Sequence, residues 1–103
     1  MELTLHYKES RGPRYEFIKN TIGFGEALRS FRYDRGHPNG AEIHTVTSTA
    51  IIIVRNERTK KLVTLLIARP RQIERLYETV GEKAPKELLD LARQHEEAGY
   101  NMR

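Results

Sequence analysis

Apolar and polar positions are most legible between residues 41 and 69, where AEIHTVTSTAIIIVRNERTKKLVTLLIAR is rich in β-branched side chains. Such residues pack well on a pleated surface and lose rotamer freedom in a helix, so the stretch predicts strands. Turn chemistry divides it into three antiparallel strands, at 41–46, 50–55 and 61–68. Thr47-Ser48-Thr49 makes a tight connection and Asn56 to Lys60 a second hairpin loop. The simplest register sets Val46 opposite Ile51 and Val54 opposite Leu62. One face then carries His44, Val46, Ile51, Ile53, Arg55 and Lys61, and the other Ile43, Thr45, Ala50, Ile52, Val54 and Leu62. Both faces are apolar in the middle, so neither can lie open to water. Helices must cover one, and the other needs a further helix, a cleft or a second subunit. A slip of one residue would exchange the faces.

The flanking segments read less sharply. Leu3, Leu5 and Tyr7 alternate with polar residues as in a half-buried strand, and Gly12-Pro13 breaks the pattern. Residues 14–19 suit a strand or a short helix, because Tyr15 and Phe17 alternate without deciding the period. Ala27, Leu28 and Phe31 stand at helical spacing and predict a short amphipathic helix over 25–33, with Gly23 and Gly25 allowing a tight approach to it. The turn-rich loop Asp34-Arg35-Gly36-His37-Pro38-Asn39-Gly40 follows. Pro70 suits a first helical position, Ile73, Leu76, Tyr77 and Val80 form a helical stripe, and Gly81 ends it, predicting a helix over 70–80. Pro85 opens a last helix, 85–97, with Leu88, Leu89, Leu91, Ala92 and His95 facing inward. The fold class is therefore α+β: a three-stranded antiparallel sheet with packed helices, four- or five-stranded if the N-terminal segments join it.

Composition narrows the class. A chain of 103 residues has the size of one domain, taken as 1–103. Its lack of cysteine excludes disulfides and thiolate-bound metal, and fits a reducing, cytoplasmic setting. No apolar run approaches the ~20 residues of a membrane span, and the N-terminus lacks the features of a signal peptide. The net charge is +4, and its placement says more than its size. From Arg55 to Arg75 seven basic residues face two acidic ones, whereas the segment from Gly81 onward has four basic and five acidic residues. This basic window, Arg55, Arg58, Lys60, Lys61, Arg69, Arg71 and Arg75, points to a polyanionic partner, RNA foremost. A solvated, solubilising surface would look the same in sequence.

Histidine and arginine supply the candidate chemistry. Metal-independent RNA cleavage needs a base for the 2′-OH proton, an acid for the leaving oxygen and cations for the phosphate. His37 in the loop and His44 on the first sheet strand suit proton transfer, and arginine forks suit phosphate. The register puts His44 beside Arg55 and Lys61 at one end of the sheet, and Arg69 with Thr47, Ser48 and Gln72 at the other. Arg69, where a strand meets a helix N-terminus, would bind phosphate with Arg71 and backbone N–H groups. Arg58, Lys60 and Lys61 in the hairpin loop would grip a backbone. His37 and His44 have no further metal ligands nearby in sequence, so neither a metal nor a cofactor is expected. The alternatives to catalysis are a non-catalytic nucleic-acid-binding module, or a protein-interaction or inhibitor module that pairs with another protein or with itself through an apolar sheet face.

The stretch GAEIHTVTSTAIIIVRNERTKKLVTLLIARPRQIERLY resembles small proteins carried by phages and conjugative elements of Gram-positive bacteria. The order of a helix followed by strands bearing His, Thr and Arg, over about Gly25 to Tyr77, is similar to the barnase–EndoU–colicin–RelE group of ribonuclease toxins. That resemblance implies a metal-independent ribonuclease, with His44, Thr47 and Arg69 as the local matches. The group places part of its catalytic set on a late strand, whereas this chain ends in two helical segments.

Overall fold

The computed structural model describes residues 12–34, 36, 38 and 40–102. A helix over 12–17 (α1) runs into a π-helical turn at Ile18–Ile22. Four strands follow, β1 (Ala27–Tyr33), β2 (Glu42–Thr47), β3 (Ile51–Asn56) and β4 (Leu62–Ile67). Then come helices α2 (Pro70–Glu78) and α3 (Lys86–Glu97), and a 3₁₀ turn at Tyr100–Met102. The strands form one antiparallel sheet in the order β1-β2-β3-β4, so the chain is α+β. The expected strand at Leu3, Leu5 and Tyr7, and His37, lie outside the described residues.

Strands β2 to β4 and helices α2 and α3 arise where the sequence pattern places them, and residues 14–17 prove helical. The segment over 25–33 does not form the expected helix. It is strand β1, paired with β2 through Phe31 opposite His44 and Tyr33 opposite Glu42. Tertiary pairing overrides the helical spacing there: of Ala27, Leu28 and Phe31, only Phe31 is buried. The ring of Phe31 meets that of Tyr77 edge-on at 5.0 Å. A period-2 signal was also present, since Arg29, Phe31 and Tyr33 share one face and Ser30 and Arg32 the other.

The register differs by one residue from the simplest pairing. Val46 lies opposite Ile52, and Arg55 rather than Val54 faces Leu62. The cause is a three-residue connection, Ser48-Thr49-Ala50, in which Ala50 adopts a left-handed conformation at φ 62°. This is the turn-plus-left-handed-residue pattern of three-residue hairpin loops, here without the usual glycine. The Thr47 hydroxyl accepts hydrogen bonds from the Thr49 and Ile51 amides, at 3.3 and 3.2 Å. A bulge at Val63 absorbs a further residue in β4.

The slip exchanges the faces. Val46, Ile52 and Val54 pack with Phe31 against Ile73 and Tyr77 of α2 and Leu88 and Ala92 of α3. Ile51, Ile53, Leu62, Leu65 and Ile67 pack against Ile18, Tyr15, Phe17, Ile22, Phe24 and Tyr100. Both apolar faces are thus covered by helical segments of the same chain. No helix among the described residues is long and apolar enough to cross a membrane.

Gly25 is where the segment preceding β1 touches the β2–β3 connection. Its φ is +67°, and a Cβ there would lie 2.3 Å from Ser48 Oγ and 3.2 Å from the Thr49 backbone nitrogen. Around it the Glu26 amide donates to Ser48 Oγ at 2.9 Å, and the Ser48 amide donates to the Glu26 carbonyl at 2.8 Å. Gly25→Ala should lower the free energy of unfolding by at least about 1–3 kcal/mol, the usual range for backbone strain. Gly81→Ala shares the positive φ but has no neighbour within 4 Å of its Cβ position, so it should cost less. Equal denaturation midpoints for the two variants would show that the Ser48 contact constrains nothing.

Candidate nucleic-acid interface

Strand β2 presents Glu42 and His44 on one face, two residues apart. His44 Nε2–H donates to Glu42 Oε1 at 3.3 Å, and Tyr33 on the neighbouring strand brings its ring to 5.8 Å from the imidazole. The Arg29 guanidinium lies 5.4 Å from the centre of the Phe31 ring and forms a two-bond pair with Glu82, at 2.8 and 3.3 Å. Arg55 does not join this group. The register puts it on the opposite face from His44, with Leu62. A carboxylate–imidazole pair beside a phenol can move protons. It is not the His44, Arg55 and Lys61 cluster that the sequence suggests.

The basic window divides between the two ends of β4. At the β3–β4 turn Arg58 donates to the Pro38 carbonyl at 3.0 Å, which ties the turn to the loop before β2. Glu57 in the same turn receives two hydrogen bonds from Arg32, at 2.6 and 3.1 Å. That pairing holds the Glu57 carboxyl below its ordinary range and raises the Arg32 guanidinium. Lys60 sits in a left-handed conformation at φ 65°. Acidic neighbours, Asp34, Glu42 and Glu57, therefore temper this end.

At the other end Arg69, Arg71 and Arg75 line a cavity of about 540 Å³ with Glu74, Glu78 and Glu96. Arg71 and Arg75 are one helical turn apart and have no hydrogen-bonded or ion-paired side-chain partner among the described residues. Arg69 is braced by Glu96 of α3, Nη1 to Oε2 at 3.3 Å, and its amide donates to Gln72 Oε1 at 2.8 Å. The helix amides are less available than expected. Pro70 has no N–H, and the Gln72 and Ile73 amides already donate to the Arg69 carbonyl. Any phosphate here would be held by guanidinium groups rather than by the helix N-terminus. A smaller cavity of about 90 Å³ continues from Arg69 to Arg14, Tyr100 and Asn101.

His44 and Arg69 are not brought together. Thr64 lies two strands across from His44, and Arg69 five residues further on, a Cα separation of about 19 Å at standard strand spacings. Thr47 does lie at the Arg69 end, since the Ala68 amide donates to the Ala50 carbonyl at 3.0 Å. Its side chain is 1% exposed, however, and its hydroxyl is occupied within the turn. Sequence reasoning missed Arg29 and Tyr33 because the helical spacing over 25–33 hides strand β1, and Glu42 although it alternates with His44 along β2. It missed Arg14, Tyr100 and Asn101 for want of any local signal: they reach Arg69 from opposite ends of the chain. Among the described residues no three His, Asp or Glu side chains converge as metal ligands would.

Comparison with known proteins adds no relative: no family model, curated protein or solved structure matches this chain.

The role of Thr47 can be separated from ligand binding. Thr47→Val keeps the shape but leaves two amides without their acceptor, which should cost about 1–3 kcal/mol of stability, while Thr47→Ser restores it. Nucleic-acid affinity per folded molecule should stay unchanged in both. Unaltered stability with lost affinity would make Thr47 a ligand contact instead.

Proposed function

We propose that this chain is a small cytoplasmic nucleic-acid-binding protein, directed to RNA, that holds the phosphate backbone in the arginine groove of α2. The observation that carries the reading is the pair Arg71 and Arg75. Each lacks an intramolecular partner among the described residues, and both open onto one cavity with Arg69. Unpaired guanidinium groups spaced along a groove suit successive phosphates, because each can donate two parallel hydrogen bonds to one of them. Glu74, Glu78 and Glu96 in the same cavity oppose indiscriminate anion binding and favour a ligand whose charges fall beside the arginines.

A second reading, the one the likeness to ribonuclease toxins implies, is metal-independent RNA cleavage with His44 as a proton-transfer group, although the helix that likeness places over 25–33 is strand β1. The Glu42 carboxylate 3.3 Å from His44 is the observation in its favour. The distance of Arg69 and the engagement of the Thr47 hydroxyl weigh against it, and Arg29, on the same face of the sheet, is already held by Glu82.

Binding of a short RNA at rising salt tests the first reading and distinguishes the second. Affinity should fall steeply with salt, because each neutralised phosphate releases counterions, with a slope of about 0.7 per phosphate for single strands. Replacing Arg71 and Arg75 by Ala should weaken binding and lower the slope by about 1.4. Replacing Arg58, Lys60 and Lys61 should change either far less. RNA recovered intact from the wild type in EDTA is expected. Cleavage to 2′,3′-cyclic ends that His44→Ala abolishes would establish the second reading, and no binding at low salt would point to a protein partner.

A further inference from the structure

Three concavities adjoin at the end of the sheet where β4 meets α2. The arginine groove and the small cavity share Arg69, and the small cavity shares Tyr100 with a third pocket of about 340 Å³. That third pocket lies between the π-helical turn, the β2–β3 connection and α3. Among the described residues no Asp, Glu, Lys or Arg lines it. Its walls combine Ile22 and Leu91 with Thr21, Gln94, His95 and Tyr100.

From this arrangement we infer that the groove takes single-stranded nucleic acid, with one unstacked base seated in the Tyr100–His95 pocket while the adjoining phosphates lie against Arg69, Arg71 and Arg75. The inference rests on the binding reading above and specifies its ligand.

The chemistry changes along the track in the way a nucleotide does, from a cationic groove to an uncharged pocket of aromatic and neutral polar groups. His95 is only 7% exposed, and its Nε2 lies 2.7 Å from the Thr49 carbonyl. A carbonyl can only accept, so the neutral ring carries its proton on Nε2 and leaves Nδ1 as an acceptor. Gln94 offers both a donor and an acceptor, and Thr21 a hydroxyl, the set needed to meet the edge of a base. The His95 and Tyr100 rings stand 5.8 Å apart, tilted by 38°, beside the apolar side chains that would cover a base's faces.

Between groove and pocket lies Asn101. Its Nδ2 donates to the Ile67 and Ala68 carbonyls, which fixes the amide, and its buried Oδ1 has no hydrogen-bond partner among the described residues. An acceptor in that state suits a ligand donor such as a ribose hydroxyl. Bases in a duplex are stacked and paired and cannot enter such a pocket, whereas a single strand can turn one out.

The test compares three ligands by fluorescence anisotropy at low salt: a single-stranded RNA decamer, the same sugar–phosphate chain without bases, and a duplex of the same sequence. The single strand should bind about tenfold more tightly than either other ligand, the scale of one base stacking on an aromatic side chain. Tyr100→Leu and Gln94→Ala should each remove much of that preference and leave the salt slope unchanged. Gln94→Ala alters an exposed residue, so it carries the test if Tyr100→Leu fails to fold. Equal affinity for the abasic chain, or wild-type preference in both variants, would overturn the base pocket while salt-dependent binding upheld the arginine groove. Absence of binding to all three ligands would overturn both.

Discussion

The connection between β2 and β3 holds the ends of most other elements, and the fold depends on it. Ser48 exchanges hydrogen bonds with Glu26 at the start of β1. Thr49 Oγ1 donates to the Gly23 carbonyl after the π-helical turn at 2.7 Å, and the Thr49 carbonyl accepts from His95 of α3. The Ala50 carbonyl accepts from Ala68 at the end of β4. Thr47 closes the turn upon itself. Backbone groups that a tight connection would leave buried and unpaired are instead shared with three neighbours, and the Thr49 hydroxyl adds a fourth, which fixes where each must stand. The left-handed Ala50 adds the residue that sets which face of β3 meets α2 and α3.

That constraint also positions the candidate interface. Pinning Ala68 to Ala50 fixes the end of β4 and hence the start of α2, so Arg69 points between α3 and the chain's last turn. Bracing by Glu96 then leaves Arg71 and Arg75 as the cations of the groove without a partner among the described residues. The two arginines of β1 are committed to the fold. Arg29 ties β1 to the α2–α3 connection through Glu82, and Arg32 ties it to the β3–β4 turn through Glu57. These are exposed pairs of modest worth. Their consequence is for charge: the net positive balance of the chain is not spread evenly, because several arginines already face carboxylates.

Much of the fold was legible in residues 41–97, where β-branched density, Pro70, Gly81 and Pro85 mark elements by local physics. Strand β1 was not, because Ala27, Leu28 and Phe31 satisfy a helical period that only pairing with β2 and the Tyr77 contact outweigh. The register was not legible either. Alanine disfavours the left-handed region, so nothing in Ser48-Thr49-Ala50 announces that Ala50 adopts it. The same one-residue slip decided the site. It moved His44 away from Arg55, while Glu42 stands beside His44 through the alternation of β2 and Tyr33 through the pairing with β1, and the separation of His44 from Arg69 follows from the strands' length. The arginines of α2 were visible as charge, but the pocket beyond them, assembled from the π-helical turn, the β2–β3 connection, α3 and Tyr100, has no signature in any short stretch.

The central claim is that nucleic acid meets this protein at the α2 end of the sheet and not at the His44 end. Backbone amide shifts followed by NMR during titration with a short single-stranded RNA test it most directly. The account predicts that perturbations centre on Arg69, Arg71, Gln72, Arg75 and Tyr100, with Glu42, His44 and Lys61 unmoved. Perturbations centred on Tyr33, Glu42 and His44, with α2 silent, would contradict it.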